Sequence, residues 1–135
     1  MGLDATRVGT RTYLARNERG AEIVVGPKEV PGAFTPGELL QIALAACAGM
    51  SSDHRLAHAL GDDFESTLEI GAVSVDGENR YERVNVDISV DTAALDEATL
   101  AHLRERAAHL ITTNCTVGRT LRAGADYAVT IDPTR

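Results

Sequence analysis

The segment from Thr35 to Gly61 constrains the fold more than any other part of the sequence. Thr35 can cap a helix, Pro36 suits the first helical position, and Glu38 stands where a capping box places an acidic residue. The first half of the run that follows is apolar nearly all round a helix, the second half turns polar, and Gly61 is a suitable stop. The pattern predicts a helix over residues 36–60 whose first half is buried in the centre of the fold.

Regular patterns on either side of this helix predict further strands and helices. Alternating apolar and polar residues are typical of half-buried strands, and apolar residues at helical spacing indicate two more helices, the first capped by Asp96. The fold class is therefore α+β, with the order β-β-α-β-β-α-α-β in a single domain of residues 1–135. The predicted strands cover residues 5–15, 21–25, 66–75, 84–90 and 127–131, and the predicted helices cover residues 36–60, 97–111 and 115–122.

Composition limits the partners of the chain. Aromatic residues make up 4% and Trp is absent, so the core has to be built from Leu, Ile, Val and Ala. The net charge of −7 gives neither nucleic acid nor an anionic membrane an electrostatic reason to bind. The first residues lack the basic and apolar regions of a signal peptide, and no apolar run approaches the ~20 residues of a membrane span. We therefore expect a cytoplasmic protein.

The chain contains two cysteines, Cys47 in the first predicted helix and Cys115 at the start of the last. Helical spacing places Cys47 on one face with Leu44, in apolar surroundings that disfavour a thiolate unless a cation lies nearby. The first turn of a helix favours a thiolate at Cys115, and Arg119 lies one turn further along. The pair is either a thiol redox centre or two inert core residues, and the residues alone leave both interpretations open while favouring the inert one.

The four histidines are better explained as surface residues than as metal ligands. His54 and His58 are one helical turn apart, but they lie in the polar half of the first helix. His102 and His109 lie among the charged residues of the second helix. We therefore expect neither a metal nor a cofactor.

The two segments around the cysteines resemble those of the OsmC/Ohr family of hydroperoxide-reducing proteins, in its OsmC-like branch. Residues 36–47 begin P-G-E-L-L and end A-A-C, which matches the family pattern P-x-E-L-L…A-x-C. Residues 115–121 read C-T-V-G-R-T-L and match C-P-V-S-x-T-L, with Thr116 in the place of Pro and Gly118 in the place of Ser. The predicted order of strands and helices also matches along essentially the whole chain.

The resemblance implies a homodimer in which antiparallel sheets wrap two central helices, and a thiol peroxidase as its function. Cys47 would attack the peroxide and become a sulfenic acid, and Cys115 would resolve it as a Cys47–Cys115 disulfide. A dithiol reductant of the lipoyl type would then reduce the pair. An aliphatic pocket would favour small organic hydroperoxides over hydrogen peroxide.

The residues that would activate Cys47 match the family pattern less closely. Hydroperoxide reductases of the family carry a Glu directly after the Pro that begins the central helix, but this chain has Gly37 there and Glu38 one position later, about 100° around the helix. The family's catalytic Arg comes from the N-terminal hairpin, where Arg16 and Arg19 lie. The cysteine pair favours a peroxidase. Gly37 favours the alternative, a dimer of this fold that binds an apolar ligand or senses oxidants with little turnover.

Overall fold

The structure is a computed structural model that describes residues 2–133, and it belongs to the α+β class that the sequence predicts. Within that range it has two small antiparallel sheets and three helices. The strands are β1 (Leu3–Gly9), β2 (Thr12–Asn17), β3 (Glu22–Val25), β4 (Ser66–Ser74) and β5 (Tyr81–Val90), and the helices are α1 (Pro36–Leu60), α2 (Glu97–Asn114) and α3 (Thr116–Ala123). The order of the described elements is thus β-β-β-α-β-β-α-α, which differs from the predicted order at both ends of the chain.

Strands β1, β2 and β3 form one antiparallel sheet in chain order. The prediction of one strand over residues 5–15 is wrong, because the chain reverses at Thr10 and Arg11. Arg11 adopts a left-handed φ of 52°, and the hydroxyl of Thr12 donates a hydrogen bond to the Thr10 carbonyl at 2.8 Å. The predicted turn after β2 is confirmed, since the side-chain oxygen of Asn17 accepts two backbone N–H groups there at 3.0 Å.

Helix α1 begins and ends where the sequence predicts. The Thr35 hydroxyl accepts the N–H of Glu38 at 3.1 Å, and the Glu38 carboxylate accepts the N–H of Thr35 at 2.9 Å, which completes the capping box. Gly61 follows the helix with a φ of 102°, a conformation that residues with a Cβ rarely adopt. Local backbone chemistry therefore accounts for both ends of the helix.

The second half of the chain follows its predicted elements until α3 ends. Strands β4 and β5 form the second sheet, and the Asp96 carboxylate caps α2 by accepting the N–H of Thr99 at 2.7 Å. The predicted last strand is wrong: residues 125–133 form no strand, and the side chains of Tyr127 and Ile131 are 86% and 97% exposed. A strand requires a neighbour to pair with, and this segment is paired with none of the strands in residues 2–133.

Contacts group the chain into two units. The first contains the sequence up to Ala43 together with residues 70–85, and the second contains residues 44–69 and the chain from Val86 onwards. The buried apolar side chains of residues 2–133 all belong to the second unit; they are Ala45, Ala48, Leu56, Leu103 and Cys115. Whether residues 1–135 act as a single domain stays a prediction. None of the helices in residues 2–133 is both long and apolar enough to cross a membrane.

Candidate active site

Helices α2 and α3 meet at Cys115, whose extended backbone, with φ −74° and ψ 99°, separates them. The N–H of Cys115 donates to the carbonyl of Ile111 at 2.9 Å and caps the end of α2. The Cys115 Sγ atom accepts the N–H of Gly118 at 3.3 Å and caps the start of α3. This residue, which is 1% exposed, therefore holds the ends of two helices.

The first turn of α3 also faces the thiol of Cys47, which belongs to α1. The backbone N–H groups of Val117 and Thr116 and the thiol of Cys115 lie close enough to the Cys47 sulfur to lower its pKa. A helix leaves its first N–H groups without partners inside the helix. In α3 the sulfur of Cys115 accepts one of these groups, from Gly118 at 3.3 Å, and the groups of Thr116 and Val117 favour the thiolate of Cys47. The structure thus brings the two cysteines together at one helix N-terminus.

These contacts give the two thiols opposite acidities. The N–H of Val117 is the largest cause that lowers the pKa of Cys47, against the effect of burial; the Cys115 thiol, the Thr116 N–H and the Ser51 hydroxyl lower it further. Burial is the largest cause that raises the pKa of Cys115, and the charge of Cys47 raises it as well. Cys47 is therefore the thiol that ionises first, while Cys115 stays protonated beside it.

The expected environments of the two cysteines are reversed. The sequence suggested a deeply buried Cys47 and a thiolate at Cys115, but Cys47 is half-buried and Cys115 is the buried one. A helix N-terminus stabilises the anion that its N–H groups point at. Here that anion is the thiolate of Cys47, which lies 68 positions (115 − 47) before Cys115 in the chain. Sequence spacing within α3 could not identify it.

Arg119 holds a helix end. Its guanidinium donates from Nη1 to the carbonyl of Thr113 at 3.0 Å, so the side chain reaches back to the last turn of α2. This contact satisfies one of the carbonyl groups that a helix leaves unpaired at its end. It also fixes the direction of the guanidinium on the surface of α3.

The other three predicted site residues lie in the first unit, where the side chains of Arg16 and Glu38 have local partners. Arg16 in β2 forms an exposed ion pair with Glu22 in β3 at 2.9 Å. Arg19 lies exposed in the turn after β2, and its backbone N–H donates to the Asn17 side chain. Glu38 is engaged in the capping box of α1. The activating roles expected for these residues stay predictions.

The position of Gly37 is explained by Tyr81, a residue that the sequence did not single out. The Tyr81 hydroxyl lies so close to Gly37 that a Cβ atom there would collide with it. That hydroxyl also accepts a hydrogen bond from the side-chain nitrogen of Gln41 at 3.1 Å. The phenol of Tyr81 therefore takes the space in which a side chain at position 37 would begin. No local pattern links Tyr81 to Gly37, since they are 44 positions apart by 81 − 37.

A further cation of the first unit, Arg11, also went unnoticed in the sequence. It lines a groove of about 560 Å³ whose other lining residues include Tyr13, Lys28, Thr35 and Pro36. Its left-handed φ of 52° places it at the reversal between β1 and β2. The pattern of alternation in residues 5–15 concealed that reversal.

The histidines lie where the sequence places them, on the surface. His54 and His58 on α1 and His102 and His109 on α2 are all exposed. Within residues 2–133 no three His, Cys, Asp or Glu side chains come together in a way that could hold a metal ion.

The chain has relatives of known family and structure. The sequence profile of the OsmC-like protein family matches residues 26–130, which is well over half of the chain. The chain belongs to the OsmC-like family. An uncharacterized protein of Mycobacterium tuberculosis is 42% identical over 118 residues, which amount to 87% of this chain and 86% of that protein.

Solved structures agree with this assignment of the fold. The OsmC-like protein from Mycoplasma pneumoniae has a TM-score of 0.68 at 14% identity, covering 90% of this chain and 86% of that one. The organic hydroperoxide resistance protein OhrB of Bacillus subtilis has a TM-score of 0.54 at 18% identity, covering 93% of this chain and 94% of that one. The predicted OsmC-like fold is therefore confirmed, and proteins of organic hydroperoxide resistance are among its structural neighbours.

Proposed function

We propose that this OsmC-like protein is a thiol peroxidase that reduces organic hydroperoxides, with Cys47 as the nucleophile and Cys115 as the resolving thiol. The observation that carries the proposal is the contact of both sulfurs at the start of α3. Backbone N–H groups at the start of α3 lower the pKa of Cys47 and so favour its thiolate, and Cys115, whose pKa is raised by burial, stays protonated beside it. A nucleophile and its resolving partner need this arrangement.

The reaction has three steps that balance in atoms and electrons. The Cys47 thiolate attacks one peroxide oxygen, so a sulfur–oxygen bond forms, the oxygen–oxygen bond breaks, and the alkoxide leaves as an alcohol after taking up a proton. The Cys115 thiol then attacks the sulfenic acid and releases water as the disulfide forms. A dithiol finally reduces this disulfide by two exchanges and leaves as its own cyclic disulfide.

Apolar surroundings support an organic substrate. Leu44 lies one turn before Cys47 on α1, and together with Ile111 and Cys115 it lines a groove beside the second thiol of the pair. Aliphatic surfaces gain from burying the alkyl part of a hydroperoxide, and hydrogen peroxide has no such part. The name of the Bacillus subtilis neighbour, an organic hydroperoxide resistance protein, agrees with this substrate class and with a role in the response to oxidative stress.

We also infer that the active form is a homodimer in the cytoplasm. Family members are typically dimeric. Large apolar side chains of three segments are exposed in the single chain: Leu3 is 81%, Met50 is 78% and Ile131 is 97% exposed. A second copy that covers these side chains would supply the core that one chain lacks. A cytoplasmic setting keeps both thiols reduced between turnovers.

Arg16, Arg19 and Glu38 stay part of the proposal as helpers of Cys47. A cation contributed by Arg16 or Arg19 would add to the N–H groups of α3 in favouring the thiolate. Glu38 would act indirectly, because its carboxylate holds the start of α1. Replacing each Arg by Gln and comparing the pH profiles of Cys47 alkylation identifies which of the two contributes.

Peroxide turnover tests the proposal. Wild type, Cys47→Ser and Cys115→Ser are compared with cumene hydroperoxide and a dihydrolipoamide reductant. We expect Cys47→Ser to lose turnover, and Cys115→Ser to consume about one peroxide per chain and accumulate oxidised Cys47. If wild type is no faster than Cys47→Ser, the enzyme is not a peroxidase.

Gly37 supports a second candidate, an oxidant sensor or apolar-ligand binder with little turnover. In the hydroperoxide reductases that the chain resembles, a Glu follows the Pro that begins the central helix. Here that position is Gly37, and the Tyr81 hydroxyl occupies the space that a side chain would need. A sensor would form the Cys47–Cys115 disulfide with peroxide but would regain its thiols slowly with any dithiol. The same assay separates the two functions through the rate of the reduction step.

A further inference from the structure

The hydroxyl group of Ser51 lies beside the proposed nucleophile on the same helix. Ser51 follows Cys47 by four positions on α1, which places the two side chains on one face of the helix. A helical side chain leans over the turn that precedes it, so Ser51 covers the turn that holds Cys47. Its hydroxyl donates a hydrogen bond to the Cys47 carbonyl at 2.8 Å. This bond anchors the hydroxyl next to Cys47, and both residues are half-buried.

The Cys47 carbonyl does not depend on this hydroxyl. Residues 47 and 51 lie well inside α1, where each carbonyl accepts the backbone N–H of the residue four positions later. The Ser51 hydroxyl is therefore a second donor to an oxygen that already has one. A serine hydroxyl carries a single proton and rotates to suit its surroundings, so it can leave this oxygen for a better acceptor nearby.

The thiolate of Cys47 is a better acceptor than the carbonyl. A hydrogen bond to a charged group is roughly twice as strong as a bond between neutral groups. The N–H of Val117 is the largest cause that lowers the pKa of Cys47, and the Ser51 hydroxyl lies close enough to the sulfur to lower that pKa further. Because Cys47 is half-buried, water supplies fewer donors to its sulfur than in the unfolded chain, and each protein donor counts for more.

The charged and titratable groups around Cys47 leave this role to uncharged donors. The titratable group that faces Cys47 from the junction of α2 and α3 is the thiol of Cys115. On α3, the guanidinium of Arg119 donates to the Thr113 carbonyl. On α1, the charged side chain nearest in sequence is Asp53, which is exposed and lies about 120° round the helix from Cys47.

We propose that Ser51 is a further residue of the thiol site, and that its hydroxyl turns from the Cys47 carbonyl to the Cys47 sulfur when that sulfur becomes an anion. The N–H groups of α3 come from another helix, so their effect depends on how α1 and α3 meet. Ser51 is joined to Cys47 by one helical turn and stays beside the sulfur. Its role in turnover rests on the proposed peroxidase function, because it concerns the thiolate that attacks the peroxide.

Alkylation of Cys47 over a series of pH values tests the proposal. Each variant is made in the full-length Cys115→Ser protein, where Cys47 is the only thiol, and the rate of reaction with iodoacetamide is measured. We expect Ser51→Ala to move the midpoint to higher pH and to make the thiolate fraction below it roughly threefold smaller, because the thiolate loses a stronger bond than the thiol form does. Alanine is the best helix former, so α1 is retained.

Ser52→Ala is the matched control. The buried hydroxyl of Ser52 makes the same kind of bond one position later, to the Ala48 carbonyl at 3.0 Å. Its loss removes a hydroxyl from the same helix and should leave the Cys47 midpoint unchanged. Ser51→Thr is the conservative variant, because a helical threonine also bonds the carbonyl four residues before it. This variant should keep the midpoint of its parent.

Three results of the alkylation series would overturn the proposal. The first is a midpoint in Ser51→Ala that equals that of its parent. The second is an equal shift in Ser51→Ala and Ser52→Ala, since the effect would then come from the packing of α1. The third is a midpoint in Ser51→Thr that follows Ser51→Ala, since the hydroxyl would then have no part in it.

Peroxide consumption keeps this result separate from the proposed function. Alkylation needs no peroxide, so a wild type that does not reduce cumene hydroperoxide ends the peroxidase proposal while the alkylation series still decides the role of Ser51. In an active protein, Ser51→Ala should consume cumene hydroperoxide about twofold more slowly near neutral pH and should recover where Cys47 is fully ionised. A loss of rate that persists at high pH would overturn ionisation as the way in which Ser51 acts.

Discussion

The acidity of Cys47 depends on backbone N–H groups, so a backbone substitution should change it. Thr116→Pro removes the N–H of the first residue of α3, where proline is well tolerated. The residue before a proline must be extended, and Cys115 already is, with φ −74° and ψ 99°. The Thr116 N–H has no acceptor inside the helix, and it lowers the pKa of Cys47. The substitution therefore deletes one donor to the thiolate and leaves the helix in place.

The size of the effect follows from the bond that is lost. A hydrogen bond to a charged acceptor contributes about 1.5–3 kcal/mol. The charge on sulfur is diffuse and Val117, the stronger donor, is kept, so we expect the thiolate of Cys47 to lose about 1 kcal/mol of stabilisation. This corresponds to a roughly fivefold smaller thiolate fraction at a pH below the pKa of Cys47. The more basic thiolate is also more nucleophilic, with a Brønsted slope near 0.4–0.5, so the net alkylation rate should fall only about two- to threefold.

The pH profile of alkylation measures this effect directly. We expect the midpoint for Cys47 to move to higher pH in Thr116→Pro and to stay unchanged in Thr116→Ala, which keeps the N–H. The Cys115→Ser background removes the second thiol from the signal. The refuting result is a Thr116→Pro/Cys115→Ser protein with a native circular dichroism spectrum and the same alkylation midpoint as Cys115→Ser alone. The N–H groups of α3 would then not control the acidity of Cys47.

Three further predictions concern acidity and packing. With limiting iodoacetamide near neutral pH, mass spectrometry should find Cys47 modified well before Cys115, because burial raises the pKa of Cys115; equal labelling would contradict the two environments. Gly37→Ala should lower the free energy of unfolding in urea by about 1–3 kcal/mol through its collision with the Tyr81 hydroxyl, and Tyr81→Phe should relieve most of that loss. The backbone N–H of Thr99 lowers the pKa of Asp96 in the folded protein. The carboxylate therefore stabilises the fold fully above its unfolded pKa, and this stabilisation is lost as the pH falls through the lower folded pKa. Unfolding in urea at a series of acid pH values should show this loss in wild type and not in Asp96→Asn.

Local chemistry was sufficient for most of the elements and for the family. Both ends of α1 were predictable because a capping box and a glycine act within a few residues. The same holds for the cap of α2 at Asp96 and for the turn at Asn17. The two cysteine segments carried the family resemblance, since they hold the residues that meet at the start of α3.

Pairing and proximity between distant residues could not be predicted in this way. The strand expected at residues 127–131 has a suitable pattern, but a strand exists only beside a partner strand, and the pattern does not say whether one is present. In the same way, alternation over residues 5–15 did not reveal the reversal at Arg11.

The two cysteines show most clearly what could be predicted from the sequence and what could not. The sequence by itself determined that there are two thiols, that one follows an apolar helical run, and that the other begins a helix with free N–H groups. Only the tertiary structure decided that those N–H groups serve the first thiol while burial keeps the second one protonated. Acidity depends on donors, charges and solvent within a few ångströms, and these come from residues that the chain brings together only when it folds.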